Sequence, residues 1–286
     1  MSKPLPSVTR LLLIVSCWLL IVGCETAPSS SLPTPILPTT ATVPSPSIIT
    51  TPLPSTTPNP DSGWQLLHEG FERRTIRLFD ENKAQFEQLF MVRIDPALYE
   101  FQIAYSPGEP KTLAQWQTET GAIMLVNGGF FTPEFVATGL IVVDGQASGS
   151  SYGDFAGMLT MGGTGVELRW LGERPFTPNE SLQYALQSFP MLVKPGGVLG
   201  FPDEDGHQAR RTVVAQDGGG RLLFILAPRG GFTLHALSQY LVESDLELDV
   251  ALNLDGGTST GLLLMDSADG VLGLTAVPAV IVIFPR

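Results

Sequence analysis

Leu246-Glu-Leu-Asp-Val-Ala-Leu-Asn-Leu-Asp-Gly-Gly-Thr-Ser259 is an apolar run that stops abruptly on an acid, two glycines and two hydroxyls. At its later positions apolar and polar residues alternate. A period of two sends Leu252 and Leu254 to one face of a strand and Asn253 and Asp255 to the other. Asn253 and Asp255 therefore look into the same space. Gly256 and Gly257 let the backbone turn with positive φ and leave their N–H groups open to an approaching anionic oxygen. Thr258, Ser259 and Thr260 add hydroxyls. A carboxylate beside bare backbone donors is a catalytic arrangement; an Asp that accepts bonds only from its own turn is the structural alternative.

A second strand end of the same kind lies far away in the chain. Ala122-Ile-Met-Leu-Val126 runs into Asn127-Gly128-Gly129-Phe130-Phe131. Two such ends predict one shared pocket lined by carboxylate, amide and bare backbone. Asn127 offers an amide for a sugar hydroxyl or acetamido group, with Phe130 or Phe131 against a ring face. Both phenylalanines as plain core is the other reading.

Each polar end follows a helix. Thr112-Leu-Ala-Gln115 fits a capping box, with Leu113 and Trp116 on one face and Gly121 as the stop. Thr233 caps a second helix in which Leu234, Leu237 and Leu241 recur at helical spacing. Strand signals dominate elsewhere. Residues 97–105 alternate, and Leu140-Ile-Val-Val143 meets the turn pair Asp144-Gly145. Two further hairpins are read around 162–165 and 217–220, and Ala279-Val-Ile-Val-Ile-Phe284 reads as a buried closing strand. The class expected is α+β: a mixed, hairpin-rich β-sheet core with a few packed helices.

The chain has 286 residues, a formal net charge of −12 and a pI near 4.6, which argues against a nucleic-acid partner. Residues 1–24 read as a signal: Lys3 and Arg10, an apolar stretch from Leu11 to Leu20, then Ile21-Val22-Gly23-Cys24. That end resembles the lipobox of bacterial lipoproteins, which puts a lipid on Cys24. The alternatives are a plain anchor or an ordinary secretory signal, and the apolar stretch is short for a spanning helix. Cys17 and Cys24 are the two cysteines, so the mature domain has no disulfide to draw on. Residues 25–62 are Ser, Thr and Pro with scattered Leu and Ile, a tether that at about 3.1 Å per residue reaches on the order of 100 Å. Residues 63–286 form one domain. The location expected is extracytoplasmic, on the cell envelope.

Arg210-Arg211-Thr212 opens an otherwise apolar strand. A guanidinium there can offer a planar fork to phosphate, or be a solvated end-of-strand charge. His68, His207 and His235 make no triad; no nucleophile elbow or zinc spacing is present. Asp203-Glu204-Asp205 reads as a solvated acidic loop sooner than a calcium site. No cofactor is required, and a divalent cation beside Asp255 stays open.

In order along the chain, Asn127-Gly-Gly-Phe-Phe131, Ser188-Phe-Pro190-Met-Leu-Val193, Arg211-Thr212 and Asn253-Leu-Asp-Gly-Gly-Thr-Ser259 resemble the phosphodiester glycosidase family. The resemblance extends over roughly residues 86–284, with Thr258 and Phe189 departing from the small residues commoner there. It implies hydrolysis between a sugar's anomeric carbon and phosphate in a glycan phosphodiester. The carbohydrate or glycan phosphodiester is the substrate partner, and the membrane is met through Cys24. Phosphate leaves with little protonation, so a strong general acid is less necessary than for an ordinary glycoside. What is needed is a carboxylate, for which Asp255 is chosen, and cations or N–H groups on the phosphate, for which Arg211 and the glycine turns qualify. Asn127 and Asn253 orient the sugar; Gly128, Gly129, Gly256 and Gly257 supply backbone contacts; Thr258 lines the turn and Ser259 holds it. Asp154 and Glu134 are weaker candidates for a second carboxylate. The alternative function is a surface glycan-binding or exopolysaccharide-associated lipoprotein without turnover.

Overall fold

The computed structural model describes residues 59–162, 165–265, 267 and 269–286. The signal, Cys24, nearly all of the tether and the tip of the 162–165 turn lie outside the described residues.

Hairpins account for most of the chain. β1 (Gln65–His68), β2 (Phe71–Phe79) and β3 (Gln85–Ile94) form a meander, followed by β4 (Tyr99–Tyr105). α1 (Leu113–Thr120) leads into β5 (Met124–Asn127). β6 (Ile141–Val143) and β7 (Gln146–Ser148) pair around Asp144 and Gly145, whose φ values of 49° and 77° are those of a type I′ turn. β8 (Gly157–Gly162) pairs with β9 (Gly165–Trp170). Next come β10 (Tyr184–Ser188), β11 (Met191–Lys194) and β12 (Val198–Leu199). The long pair β13 (Ala209–Asp217) and β14 (Leu222–Phe232) follows. α2 (Leu234–Glu243) then feeds β15 (Leu248–Asn253). A 3-10 turn (Gly257–Ser259), β16 (Leu262–Leu264), β17 (Gly270–Val271) and β18 (Ala279–Pro285) end the chain.

Both helices start where their side chains dictate. Thr112 and Gln115 form a reciprocal capping box, and Gly121 closes α1 in the left-handed region. The Thr233 side chain accepts from the Ala236 N–H.

Among the described residues, eighteen strands fall into three sheets. One has eight strands, in the order β1-β2-β3-β14-β13-β15-β11-β12; the other two have five each, β7-β6-β10-β8-β9 and β17-β16-β5-β18-β4. Every pairing among the described residues is antiparallel. This corrects the expectation of a mixed sheet: neither helix returns the chain to a parallel neighbour. The fold is sheet-rich, with two α-helices among the described residues.

The inner faces of all three sheets contribute to one apolar core, with Phe224 and Leu252 from the first, Leu159 and Leu186 from the second, and Met124 and Ile281 from the third. The outer faces are covered separately. α2 packs Leu237 and Leu241 on the eight-stranded sheet, and α1 packs Leu113 and Trp116 on the sheet containing β5. The remaining sheet is backed by Leu140, Ala156 and Leu171, with Tyr152 and Phe189 half-buried against them.

Candidate active site

The two polar strand ends meet. Asn127 ends β5, and Asp255 follows β15, which lies in a different sheet. The Asn127 amide Nδ2 donates to the Asp255 carbonyl at 2.7 Å, and the Asp255 N–H donates to the Gly128 carbonyl at 3.2 Å. Asn127 Oδ1 accepts from Thr212 Oγ1 at 2.9 Å and from the Gly261 N–H at 3.1 Å. A wholly buried amide with both ends so engaged has nothing left for a sugar. The expectation that Asn127 orients the substrate is therefore corrected: it ties β5, β13 and the Asp255 turn together.

The glycines serve close approach. A Cβ on Gly128 would lie 3.0 Å from the Ala279 carbonyl oxygen and one on Gly129 3.0 Å from that of Gln187. At Gly256 it would lie 2.6 Å from the Arg210 carbonyl oxygen, so only glycine lets the turn lie on β13. Gly257 has φ 57° and open space above it, the one glycine of the pair free for an incoming group.

Asp255 itself is partly buried. Burial pushes its carboxyl above the usual carboxylate range, opposed by hydrogen bonds from the Ser259 hydroxyl and the Gly256 N–H. Ser259 is buried and closes the turn through its N–H to the Gly256 carbonyl; Thr258 is exposed, and its carbonyl accepts from Leu274.

Asn253 pairs with Val213 on the face expected, while Leu252 and Leu254 enter the central core. Its Nδ2 donates to the Phe189 carbonyl at 2.9 Å and its N–H to that of Pro190 at 3.0 Å. Its Oδ1 is buried with no partner, as are Ser188 Oγ, Thr260 Oγ1 and Arg210 Nε around the same turn. Unpaired buried polar atoms are uncommon, and their gathering here marks the place where the fold's polar atoms are least satisfied.

Arg211 forms no ion pair with Asp255. Nε donates to the Phe232 carbonyl at 3.4 Å and Nη2 to that of His207 at 2.5 Å. Burial lowers its pKa against the charge of Asp205. The guanidinium anchors the 207–211 segment, and the neighbour that joins the site is Thr212. Arg210 points to the other side, onto the carbonyls of Thr260 and Leu272 at 2.9 and 2.8 Å. Asp154 and Glu134 are both exposed. No group of three or more His, Cys, Asp or Glu side chains that could hold a metal occurs among the described residues. In the acidic loop, Glu204 accepts from the Gly206 N–H and the Thr233 hydroxyl, and Asp205 from the His207 N–H.

Sequence reasoning passed over Gln187, Tyr152 and Phe155. Gln187 Oε1 accepts from the Tyr152 N–H, which binds the 149–156 loop beside Phe189. Local pattern held no signal for this, because the partners are about 35 residues apart.

The phosphodiester glycosidase family model matches residues 120–284, which include both polar strand ends. Three solved structures share the fold. The catalytic domain of zebrafish N-acetylglucosamine-1-phosphodiester alpha-N-acetylglucosaminidase, auto-inhibited by its pro-peptide, is 18% identical with a TM-score of 0.60 over 78% of this chain and 86% of that one. A hypothetical protein from Synechocystis is 14% identical, TM-score 0.55, over 76% of this chain and 62% of that one. A putative exported protein from Burkholderia pseudomallei is 14% identical, TM-score 0.50, over 70% of this chain and 74% of that one. The comparison with curated proteins gives no match. With more than half of its length matched, the chain belongs to the phosphodiester glycosidase family, a class of glycosidase-type hydrolases.

Proposed function

We propose that this chain is an extracytoplasmic hydrolase that cuts the sugar–phosphate bond of a sugar-1-phosphodiester on a glycan or glycoconjugate. It is held to the envelope by lipid on Cys24 and the Ser/Thr/Pro-rich tether. The observation that carries the reading is the placement of Asp255: a desolvated carboxylate where two polar strand ends from different sheets are hydrogen-bonded together.

Asp255 is the group that activates water or attacks the anomeric carbon. Its ionised form is the working one, because only the carboxylate can take a proton from water or form the bond to carbon. The departing group is a phosphate monoester, a weak base that leaves without full protonation. Gly257 presents unobstructed backbone on the exposed side of the turn, beside the Thr258 hydroxyl, and these are the nearest donors for phosphate oxygens. Asn253 keeps an unpartnered acceptor two residues from Asp255, suited to a sugar hydroxyl once the turn opens to ligand.

The test is Asp255→Asn assayed on sugar-1-phosphate diesters. Sugar release falls by about a thousandfold, with the fold retained by circular dichroism. A variant as active as the native chain removes Asp255 from the chemistry. Hydrolysis in oxygen-18 water places the label in the sugar; label in the phosphate means attack at phosphorus and overturns the reading.

A further inference from the structure

Beside the Asp255 turn stands a group of aromatic rings to which the hydrolytic reading gives no task. Phe189 is at its centre. Phe130 lies against it with ring centroids 4.7 Å apart. Tyr152 meets it edge-on at 5.2 Å and Phe155 edge-on at 5.5 Å. The wall is continuous with the site, since Asn253, two residues before Asp255, donates to the Phe189 carbonyl. Phe130 follows directly from the Asn127 turn.

The loop that brings Tyr152 and Phe155 is fixed at its base. Gln187, buried, accepts from the Tyr152 N–H at 2.7 Å and donates to Ser151 Oγ at 2.9 Å. The Tyr152 hydroxyl pairs with that of Thr138. Gly139 makes room, for a Cβ there would lie 2.5 Å from the Tyr152 ring.

Tyr152 and Phe189 are accounted for as cover on the back of a sheet. Phe155 is not. It is 53% exposed and joins none of the hydrophobic clusters, so the loop forgoes the free energy that burying a phenylalanine yields. Edge-to-face packing holds the ring still and leaves part of its surface to solvent. Ser150, Gly153 and Asp154 of the same loop are polar or bare and exposed. An anchored aromatic ring among a few polar groups matches a pyranose, which offers a C–H face on one side and hydroxyls at its rim.

We propose that this wall is a carbohydrate-stacking subsite: Phe155, backed by Tyr152 and Phe189, takes the C–H face of a pyranose ring of the substrate, and Asp154 and Ser150 meet its hydroxyls. The inference rests on the phosphodiester glycosidase reading above for the identity of its ligand. The ring is either the sugar that is released or a sugar esterified on the far side of the phosphate.

The experiment uses two diesters of the same sugar-1-phosphate, one methyl and one glycosyl, with Phe155→Ala, Phe155→Leu and Phe155→Trp. Loss of the ring in the Ala and Leu variants raises KM about five- to tenfold on at least one diester, with a smaller change in kcat, and Trp restores it. A rise on both diesters assigns the released sugar; a rise on the glycosyl diester alone assigns the sugar beyond the phosphate. KM unchanged on both overturns the subsite. If the native chain releases no sugar, the hydrolytic reading has failed and the subsite is read by saturation-transfer NMR with the glycosyl diester. Transfer to the C–H face that is lost in Phe155→Ala supports it, and no transfer in the native chain overturns it.

Discussion

The task proposed for Asp255 conflicts with its stability. Burial raises its pKa, so the folded chain binds its proton more tightly than the unfolded chain. The sign follows: the native state is favoured most below the ordinary carboxyl value near 3.8 and loses that advantage as pH rises through the raised pKa. At neutral pH the ionised Asp255 is a net burden on folding. Asp255→Asn should therefore melt at a higher temperature than the native chain at pH 7, with the difference closing as pH falls below about 4; calorimetry across that range checks it. Hydrolysis by the native enzyme should rise with pH through the same raised pKa. The residue was legible in sequence because alternation and the abrupt Asp-Gly-Gly ending are local. The fate of Asn127 was not, because Thr212 Oγ1 and the Gly261 N–H that saturate its amide come from 85 and 134 residues away.

Among the elements, β5, β13 and the turn after β15 depend on one side chain. Asn127→Ala leaves the Thr212 hydroxyl, the Gly261 N–H and the Asp255 carbonyl without their buried partner. The expected cost is about 2–4 kcal/mol, read from urea denaturation, and activity should fall with it because the Asp255 turn loosens. Asn127→Asp tests the same bond set, since a carboxylate cannot donate to the Asp255 carbonyl. Helix ends were readable in sequence: a cap is written within four residues, and both Thr112 and Thr233 act as read. Strand partners were not, since nothing in a single strand states which neighbour it meets. β2 and β3 went unread because charges interrupt their alternation. Glu87 is the clearest case: it is wholly buried, yet satisfied by the backbone N–H groups of Gln88, Arg229 and Gly231.

On the scale of the whole domain, the three sheets share one core, and the packed chain begins ahead of β1. Residues 61 and 62, assigned to the tether by composition, dock on β2: Ser62 N–H donates to Thr75, and Asp61 pairs with the buried Arg74, whose other partner is Asp245 at the end of α2. The Arg77 N–H donates to the Pro60 carbonyl. A chain starting at Asn59 should be fully stable, whereas one starting at Gly63 loses these bonds and about 1–3 kcal/mol, with hydrolysis unaffected at temperatures where both are folded. Paired melts of the two truncations decide it. The joining of the sheets has one more consequence. Asp255 is gripped through main-chain atoms, its N–H on Gly128 and its carbonyl on the Asn127 amide, whereas the rings of the 149–156 loop hang from the side chain of Gln187. Mutations in that loop can redraw what is recognised without disturbing where the bond is broken, which makes it the segment to exchange when grafting a new sugar preference onto this scaffold.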